Sequence, residues 1–495
     1  MKYLYQTAIQ NELFNILFFT FLILIFIYLT KLIKTSSKPN FEKSRKFVHL
    51  SVGILCSISP YYFKTPLFPL IISVIFLSII IFSFFNKKFL EKIHTKDRVS
   101  YGLIYFPIGY IIQIICFWGY KEYFALSFLI LAICDPIASI IGNKKNNYKH
   151  FTLWEDSKTL IGTSAFFLSC FTLSFLYSYI FFNIPFYKAI FFSLFISFGS
   201  TLAEIMSNKG SDNISIPFFS ILFMFAFDNH NTVILNIPNL IIVNHATLFI
   251  IVSILFSLAY YLNFLSLSGY YSGFLMATII TFLGGLKFLI PLALFFILSS
   301  LLSVLSIEKN LSIKPKRNII QVYANGGIGL LICCFNYFNP TDMNYYLFLC
   351  SISAAISDTW ATEIGKFSKS DPVSIINFKK VNKGYSGGIT FLGLLGSILG
   401  PTLLTFSCWL SYHFSLKLFL LIIIIGFLGS ILDSIIGATL QVKYKNELGE
   451  LVEVKEKGSE IISGFELIDN NMVNFINTLI SPILFYLITI MGMHT

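Results

Sequence analysis

Charge is what this chain has least of. Asp, Glu, Lys and Arg make up 12% of its 495 residues, against about 25% in an average soluble protein. A water-soluble domain of this length would lack polar surface. Cysteine signals are missing too: the eight Cys stand singly in apolar runs, except adjacent Cys333 and Cys334, with no C-x-x-C. That leaves no disulfide or zinc framework. Pro and Gly, at 15 and 29, are too few for collagen or a disordered tract. H-E-x-x-H, G-x-x-x-x-G-K-[ST] and G-x-G-x-x-G are all absent, so zincin, P-loop and Rossmann chemistry have no footing.

Apolar residues fill the space instead, at 56% of the chain with mean hydropathy +0.77. A transmembrane helix needs roughly 20 apolar residues, and windows of that kind recur about sixteen times. Backbone groups must pair internally in hydrocarbon, so the sequence predicts an all-α polytopic transmembrane helical bundle of about 16 helices. The windows 47–60 and 216–228 are short and read as re-entrant or tilted. Residues 269–285 and 288–305 read as separate helices, and 386–406 as another. The first apolar run, Leu13 to Leu29, follows no basic stretch beyond Lys2 and precedes no small-residue cleavage site. It reads as a retained helix rather than a signal peptide.

The net charge of +11 is unevenly placed. Lys and Arg number six in 31–46, five in 86–98, four in 143–158, four in 306–318, five in 366–383 and four in 441–460. Loops 61–65, 119–122, 183–188, 229–240 and 339–343 hold one or none. The positive-inside rule puts the basic loops in the cytoplasm and both termini outside a cell membrane. Anionic headgroups or a phosphorylated substrate account for these clusters without nucleic acid.

A carboxylate inside a membrane helix is costly and is retained for function or pairing. Asp135 stands in Cys134-Asp135-Pro136-Ile137-Ala138, with Gly142 four beyond Ala138, small residues that let a second helix approach. The bland alternative is a capping Asp beside a kinking Pro. Lys158-Thr159-Leu160-Ile161-Gly162-Thr163 opens the next helix. A helix start offers N–H groups to phosphate and Gly clears the approach, although a plain cap reads the same way. Glu204 through Ser207-Asn208-Lys209-Gly210-Ser211-Asp212-Asn213 gathers acids and amides of the sort that suits Mg²⁺, which takes a few carboxylates plus substrate phosphates.

The second half repeats the arrangement. Asp358, Ala361 and Gly365 keep the spacing of Asp135, Ala138 and Gly142, with Glu363 between. Lys383-Gly384-Tyr385-Ser386-Gly387-Gly388 then reads as a helix start, 29 residues from Asp358 to Gly387 against 27 from Asp135 to Gly162. Asp433 closes a helix, and Asp469-Asn470 opens the last one as Asp212-Asn213 does earlier. Each half begins with basic residues before a helix, Arg45-Lys46 with His49 and Arg317-Asn318 with Gln321. His49 is a site candidate or simply an interfacial histidine; the other six His show no ligand spacing. The sequence thus divides into related units, 1–228 and 241–495.

This chemistry fits phosphoryl transfer from a nucleotide to a membrane lipid, which rests on positioning and charge stabilisation. Asp135, Asp212, Asp358, Asp433 and Asp469 are the Mg²⁺ candidates. Lys158, Glu204 and Glu363 join them as catalytic candidates, and Gly162, Lys209, Asn213, Lys383, Ser386, Gly387 and Gly388 as nucleotide or phosphate contacts. A multi-pass transporter with intramembrane carboxylates is the main rival, and a cytidylyltransferase-like lipid enzyme another.

Residues 43–225, through Arg45-Lys46-Phe47-Val48-His49, the Asp135 and Lys158 motifs and Glu204 to Pro217, resemble the phytol kinase and dolichol kinase family. The sequence departs from that pattern at Cys134, usually Gly, and Ile161, usually Glu. Residues 265–490 resemble the phytyl-phosphate kinase family more closely. Arg317-Asn318 with Gln321-Val322-Tyr323-Ala324-Asn325-Gly326-Gly327, the Asp358 motif, Gly384 to Thr390, Gly429 to Gln441 and Asp469-Asn470 with Asn474 carry that likeness. The resemblance implies CTP or another NTP as donor, Mg²⁺ as cofactor, and an isoprenoid alcohol and its monophosphate as membrane substrates. It also implies that Arg45, Lys46, Arg317, Asn318, Gln321, Asn325, Asn470 and Asn474 contact the cofactor. A fusion of the two would carry an isoprenoid alcohol to its diphosphate.

Overall fold

The computed structural model describes residues 2–29, 41–85, 101–143, 149–154, 156–228, 233–237, 241–305, 316–382, 384–447, 451–453, 455 and 458–493. Lys383 lies outside them. The chain divides into two compact units, Met1–Asp228 and Asn229–Thr495.

In the first unit, α1 (Lys2–Leu29), α2 (Phe41–Tyr62), α3 (Leu67–Phe85) and α4 (Gly102–Phe117) precede a longer helix built in three parts. These are α5 (Lys121–Leu129), a π-helical turn (Ile130–Cys134) and α6 (Asp135–Gly142). A hairpin of β1 (His150–Thr152) and β2 (Ser157–Thr159) leads into α7 (Leu160–Phe181), α8 (Phe186–Ile205) and α9 (Asp212–Asp228). Packing rests on small residues and aromatic rings. Gly53 on α2 is pressed against Ala132, where an added Cβ would meet the Ala132 Cβ at 2.6 Å. Ser200 on α8 and Ser220 on α9 share a buried 2.8 Å hydrogen bond. Lipid tails are as apolar as the helices, so such close contacts and interhelical hydrogen bonds, rather than the hydrophobic effect, hold membrane helices together.

The second unit begins with a hairpin, β3 (Val233–Ile237) and β4 (Ile241–Asn244), then α10 (His245–Tyr261). Next come α11 (Leu267–Leu305), α12 (Ile319–Phe338) and α13 (Asp342–Gly365). Short strands β5 (Val373–Ser374) and β6 (Gly388–Ile389) pair before α14 (Phe391–Tyr412) and α15 (Leu416–Thr439). A three-stranded sheet follows, ordered β8 (Leu451–Val452), β7 (Lys443–Lys445), β9 (Glu460–Ser463), and α16 (Asn470–Met493) ends the unit. Helix α13 is its hub, packed against α11, α12, α14, α15 and α16, and its residues Phe348 to Ser357 are all buried.

The all-α polytopic expectation holds. Among the described residues eight helices are long and apolar enough to cross a membrane, with four shorter apolar ones at Phe14–Leu29, Leu67–Phe82, Gly102–Phe117 and Thr247–Tyr261. Helices α2, α9 and α13, which carry candidate polar residues, fall in neither group. The window 47–60 is part of a 22-residue helix. Windows 269–285 and 288–305 form one continuous run broken at Gly285, whose φ of 62° and ψ of −160° turn the chain where an L side chain would be strained.

One boundary differs from expectation. Ser386, Gly387 and Gly388 do not open a helix: they form a turn and strand, and α14 starts at Phe391 under a Thr390 cap. The Thr390 Oγ1 accepts the Gly393 N–H at 3.0 Å, and a Thr cap satisfies a donor that the helix start leaves orphaned.

Candidate active site

The first unit gathers its charges where α2, α6, β2, α8 and α9 meet. The π turn sets the stage. Leu131 lies five residues before Pro136, so a π-wound amide at 136 would bond its carbonyl, but proline has no N–H. His49 Nε2 takes that carbonyl instead, at 3.2 Å, and stands 3.7 Å from Asp135 Oδ2. Asp212, Lys158, Glu204 and Arg45 are the other charges acting on Asp135. Lys46 lies on α2 next to Arg45.

Lys158 is the best-engaged cation. Its Nζ donates to Glu204 Oε1 at 2.6 Å, to the Glu204 carbonyl at 2.9 Å and to Ser207 Oγ at 2.9 Å. Burial pushes its ammonium toward neutrality, but the Glu204 and Asp212 charges outweigh this and hold it above the ordinary lysine value. Glu204 is 5% exposed. Its Oε2, with the Oδ1 atoms of Asn208 and Asn213, is buried without a hydrogen-bond partner. Asn213 spends its amide on the Gly102 and Gly210 carbonyls, both at 3.2 Å, and Asp212 Oδ1 accepts the Asn213 N–H. Lys209, in the left-handed region at φ 49°, donates its backbone N–H to Asp156 at 2.7 Å. Each of these acceptor oxygens is left open to a donor or a cation.

A glycine seam fixes this geometry. Thr159 caps Gly162 at 3.1 Å. A Cβ on Gly142 would lie 2.7 Å from Thr159 Oγ1 and 3.3 Å from the Gly162 Cα; one on Gly162 would lie 3.2 Å from the Ala138 carbonyl. The second unit repeats the seam. A Cβ on Gly365 would lie 3.3 Å from Thr390 Oγ1 and 3.6 Å from the Gly393 Cα, and one on Gly393 3.0 Å from the Ala361 carbonyl. The Asp-x-x-Ala-x-x-x-Gly register is therefore matched, but the partner of Gly162 is Gly393 rather than Gly387. In this register Lys158 is equivalent to Ile389.

In the second unit Asp358 on α13 and Asp433 on α15 are half-buried, and each carboxyl group acts on the other. Asp433 Oδ2 has no hydrogen-bond donor. Two carboxylates in contact repel unless a proton or cation lies between them. The carboxylate beside Asp433 is thus Asp358 rather than Asp469, which is turned to its own helix start: Oδ1 accepts the Met472 N–H at 2.8 Å and Oδ2 the Asn471 amide at 3.1 Å. Asn470 is the first residue of α16, and Asn474 Oδ1 is buried without a partner.

Several expected ligand contacts serve the backbone. Asn318 and Gln321 form a capping box at α12, and Asn325 donates to the Gln321 carbonyl at 2.9 Å. Glu363 pairs with Lys366 at 2.9 Å. Arg317 lies 5.8 and 5.7 Å from the Phe295 and Phe296 rings, and burial lowers it to about 10 against a pull upward from Glu363.

The Tyr385–Gly388 loop is pressed onto α15. Gly387 has φ +81°, and a Cβ there would meet the Ala438 Cβ at 2.4 Å. Only Gly fits. Three residues outside the candidate set converge on this loop. Ser386 N–H donates to Glu453 Oε1 at 2.8 Å, Gln441 Nε2 to Glu453 Oε2 at 3.1 Å, and Lys443 Nζ to the Tyr385 hydroxyl at 3.0 Å. Gln441 and Lys443 could have been singled out by their period-two spacing just after a motif. Glu453, 67 residues from Ser386, left no local signal.

Among the described residues no group of three or more His, Cys, Asp or Glu side chains could hold a metal ion by itself. Mg²⁺ needs only one or two carboxylates when phosphates and water complete its shell, and Asp358 with the donor-free Asp433 Oδ2 fits that form.

No solved structure matches the chain. Over 252 residues it is 31% identical to Protein PGR of Arabidopsis thaliana, covering 44% of this chain and 87% of that protein. It is 34% identical over 174 residues to an uncharacterized membrane protein of Methanocaldococcus jannaschii, covering 34% of this chain and 71% of the relative. Residues 250–482 match the integral membrane protein family DUF92, so the chain, through its second unit, belongs to that family.

Proposed function

We propose that the chain is a Mg²⁺-dependent membrane phosphotransferase, using CTP or another NTP to phosphorylate an isoprenoid alcohol such as phytol and then its monophosphate. The observation that supports this reading is the half-buried Asp358–Asp433 pair on α13 and α15, with the Gly387 loop packed on α15 one turn beyond Asp433. When bound, Mg²⁺ supplies positive charge between the transferring phosphates. Asp358 and Asp433 would hold it. The Ser386 N–H would orient a phosphate, and the loop's contact with α15 would keep that donor near Asp433. In the first unit Asp135 and Asp212 would serve alike, with Lys158 and Glu204 fixing the surrounding charge. By the positive-inside rule these sites would face the cytoplasm, where nucleotide is available.

The break at Gly285 and the π turn favour a second reading, because transporters bind substrate at interrupted helices. One assay separates the two. Purified full-length protein in detergent is given Mg²⁺, each NTP, and a panel of isoprenoid alcohols and monophosphates, and products are resolved by phosphate number. Mono- and diphosphate formation is expected. Flux of the same lipids across sealed vesicles, with no nucleotide consumed and no change in phosphate number, would end the kinase reading.

A further inference from the structure

Glu453 does something none of the motifs require. Its two carboxylate oxygens are held separately, one by the Ser386 N–H at 2.8 Å and one by Gln441 Nε2 at 3.1 Å. Two donors that each reach a different oxygen of one anion form a fork, the geometry that carboxylate and phosphate share. The fork is stiff. Gln441 is 2% exposed, and a Cβ on Gly437 would sit 3.3 Å from Ser386 Cβ and 3.5 Å from the Gly387 N, so the loop lies tight on the last turn of α15. Gly437 is one helical turn beyond Asp433.

A second observation points to an anion. Lys443 is 5% exposed, and buried lysines are nearly always paired with an acid. Its partners are neutral: the Tyr385 hydroxyl at 3.0 Å, the Ala438 carbonyl at 3.4 Å, and the Tyr385 ring 4.1 Å below. Along an extended strand, residues two apart point the same way, so Lys443 follows Gln441 toward the loop. A buried ammonium with neutral partners, beside a two-pronged donor, is what a phosphate dianion needs and a single carboxylate satisfies only in part.

We propose that Ser386 N–H, Gln441 and Lys443 form a phosphate cradle, and that Glu453 is its internal occupant, displaced when a phosphorylated ligand enters. This rests on the phosphotransferase reading for its setting but not for its test. Glu453 follows strand β8 of the small sheet, so its departure is a movement of that sheet edge, while Gln441 and Lys443 stay anchored through the Gln441–Phe465 bridge and the β7–β9 pairing.

The experiment measures equilibrium binding to full-length protein in detergent, without turnover, using three probes: inorganic pyrophosphate, CTP and geranylgeranyl monophosphate. Glu453→Ala vacates the cradle and should bind at least one probe about tenfold tighter than the parent. Glu453→Gln keeps an acceptor but loses the charge and should fall between. Adding Lys443→Met or Gln441→Ala to Glu453→Ala should reverse the gain. The probe that gains names the ligand: CTP alone the nucleotide, the prenyl monophosphate alone the lipid, all three a general phosphate site. Unchanged or weaker binding by Glu453→Gln, with the parent's thermal transition retained, overturns the proposal, and this variant decides if Glu453→Ala does not fold. Tighter binding without phosphoryl transfer to any acceptor would leave the cradle standing and remove the kinase. Transfer with no change in binding would do the reverse.

Discussion

In the first unit the aspartate helix is wound through a π turn and its carboxylate faces His49. In the second, the corresponding helix runs without a break from Asp342 to Gly365, and its carboxylate meets Asp433. The backbone frame is shared: a hairpin follows the aspartate helix, a threonine caps the next one, and two glycines bring the helices together. The charge placed on that frame is not. The half-buried Lys158 and the buried Glu204 form an ion pair in the first unit, while the second has Ile389 at the position equivalent to Lys158 and keeps its buried lysine, Lys443, on a separate sheet. Frame and charge therefore vary independently between the two units.

The sharpest way to break the comparison is to neutralise each aspartate. Asp135→Asn should lower alcohol phosphorylation at least about a hundredfold, since a metal's charge contributes several kcal/mol, while an added monophosphate is still converted. Asp358→Asn should do the opposite and let monophosphate accumulate. Loss of both steps from either change would show a single composite site.

Charge comes next. Lys158→Met strands the buried Glu204 carboxylate and should cost about 3–5 kcal/mol of stability, read from thermal unfolding, with partial recovery when Glu204→Gln is added. Ile389→Met at the equivalent position should do far less. The lysine is held above its ordinary value of 10.5, so its contribution is full below that pH and is lost as pH rises through the higher folded value. The parent should therefore lose stability at strongly alkaline pH by a step that Lys158→Met lacks.

The glycine seam gives the smallest effect and the finest test. Gly162→Ala and Gly393→Ala should each cost about 1–3 kcal/mol through overpacking, with Gly162 the worse because its Cβ would stand 2.8 Å from Thr159 Oγ1 against 3.0 Å for Gly393 and Thr390. Equal tolerance at both positions would undo the proposed register.

The helices were legible because membrane insertion demands long apolar runs, and Asp135, Asp358 and Asp433 because acids in such runs stand out. The three-stranded sheet within 443–463 was not. Its strands are two to four residues long, too short for alternation to show. Ser386 and Gly387, following Lys383, read in sequence as a helix start, whereas they lie in a turn ahead of Phe391. What fixes the turn is contact with Ala438 and Glu453, and distant contacts of that kind leave no pattern in a local window. Asp469 shows the opposite limit: it caps its helix start, and a capping aspartate and a metal-binding one look alike in sequence.

A π turn holds one residue more than the α-helix of the same height, and each residue of α-helix turns the chain by about 100°. The five residues Ile130–Cys134 therefore act as a phase shifter. Removing one of them would leave both ends of the helix almost in place and carry the Asp135 carboxylate round the axis, away from His49. The aim of that side chain is set by a count of residues upstream, and the surplus residue is held by a proline that donates nothing and a histidine that fills the gap.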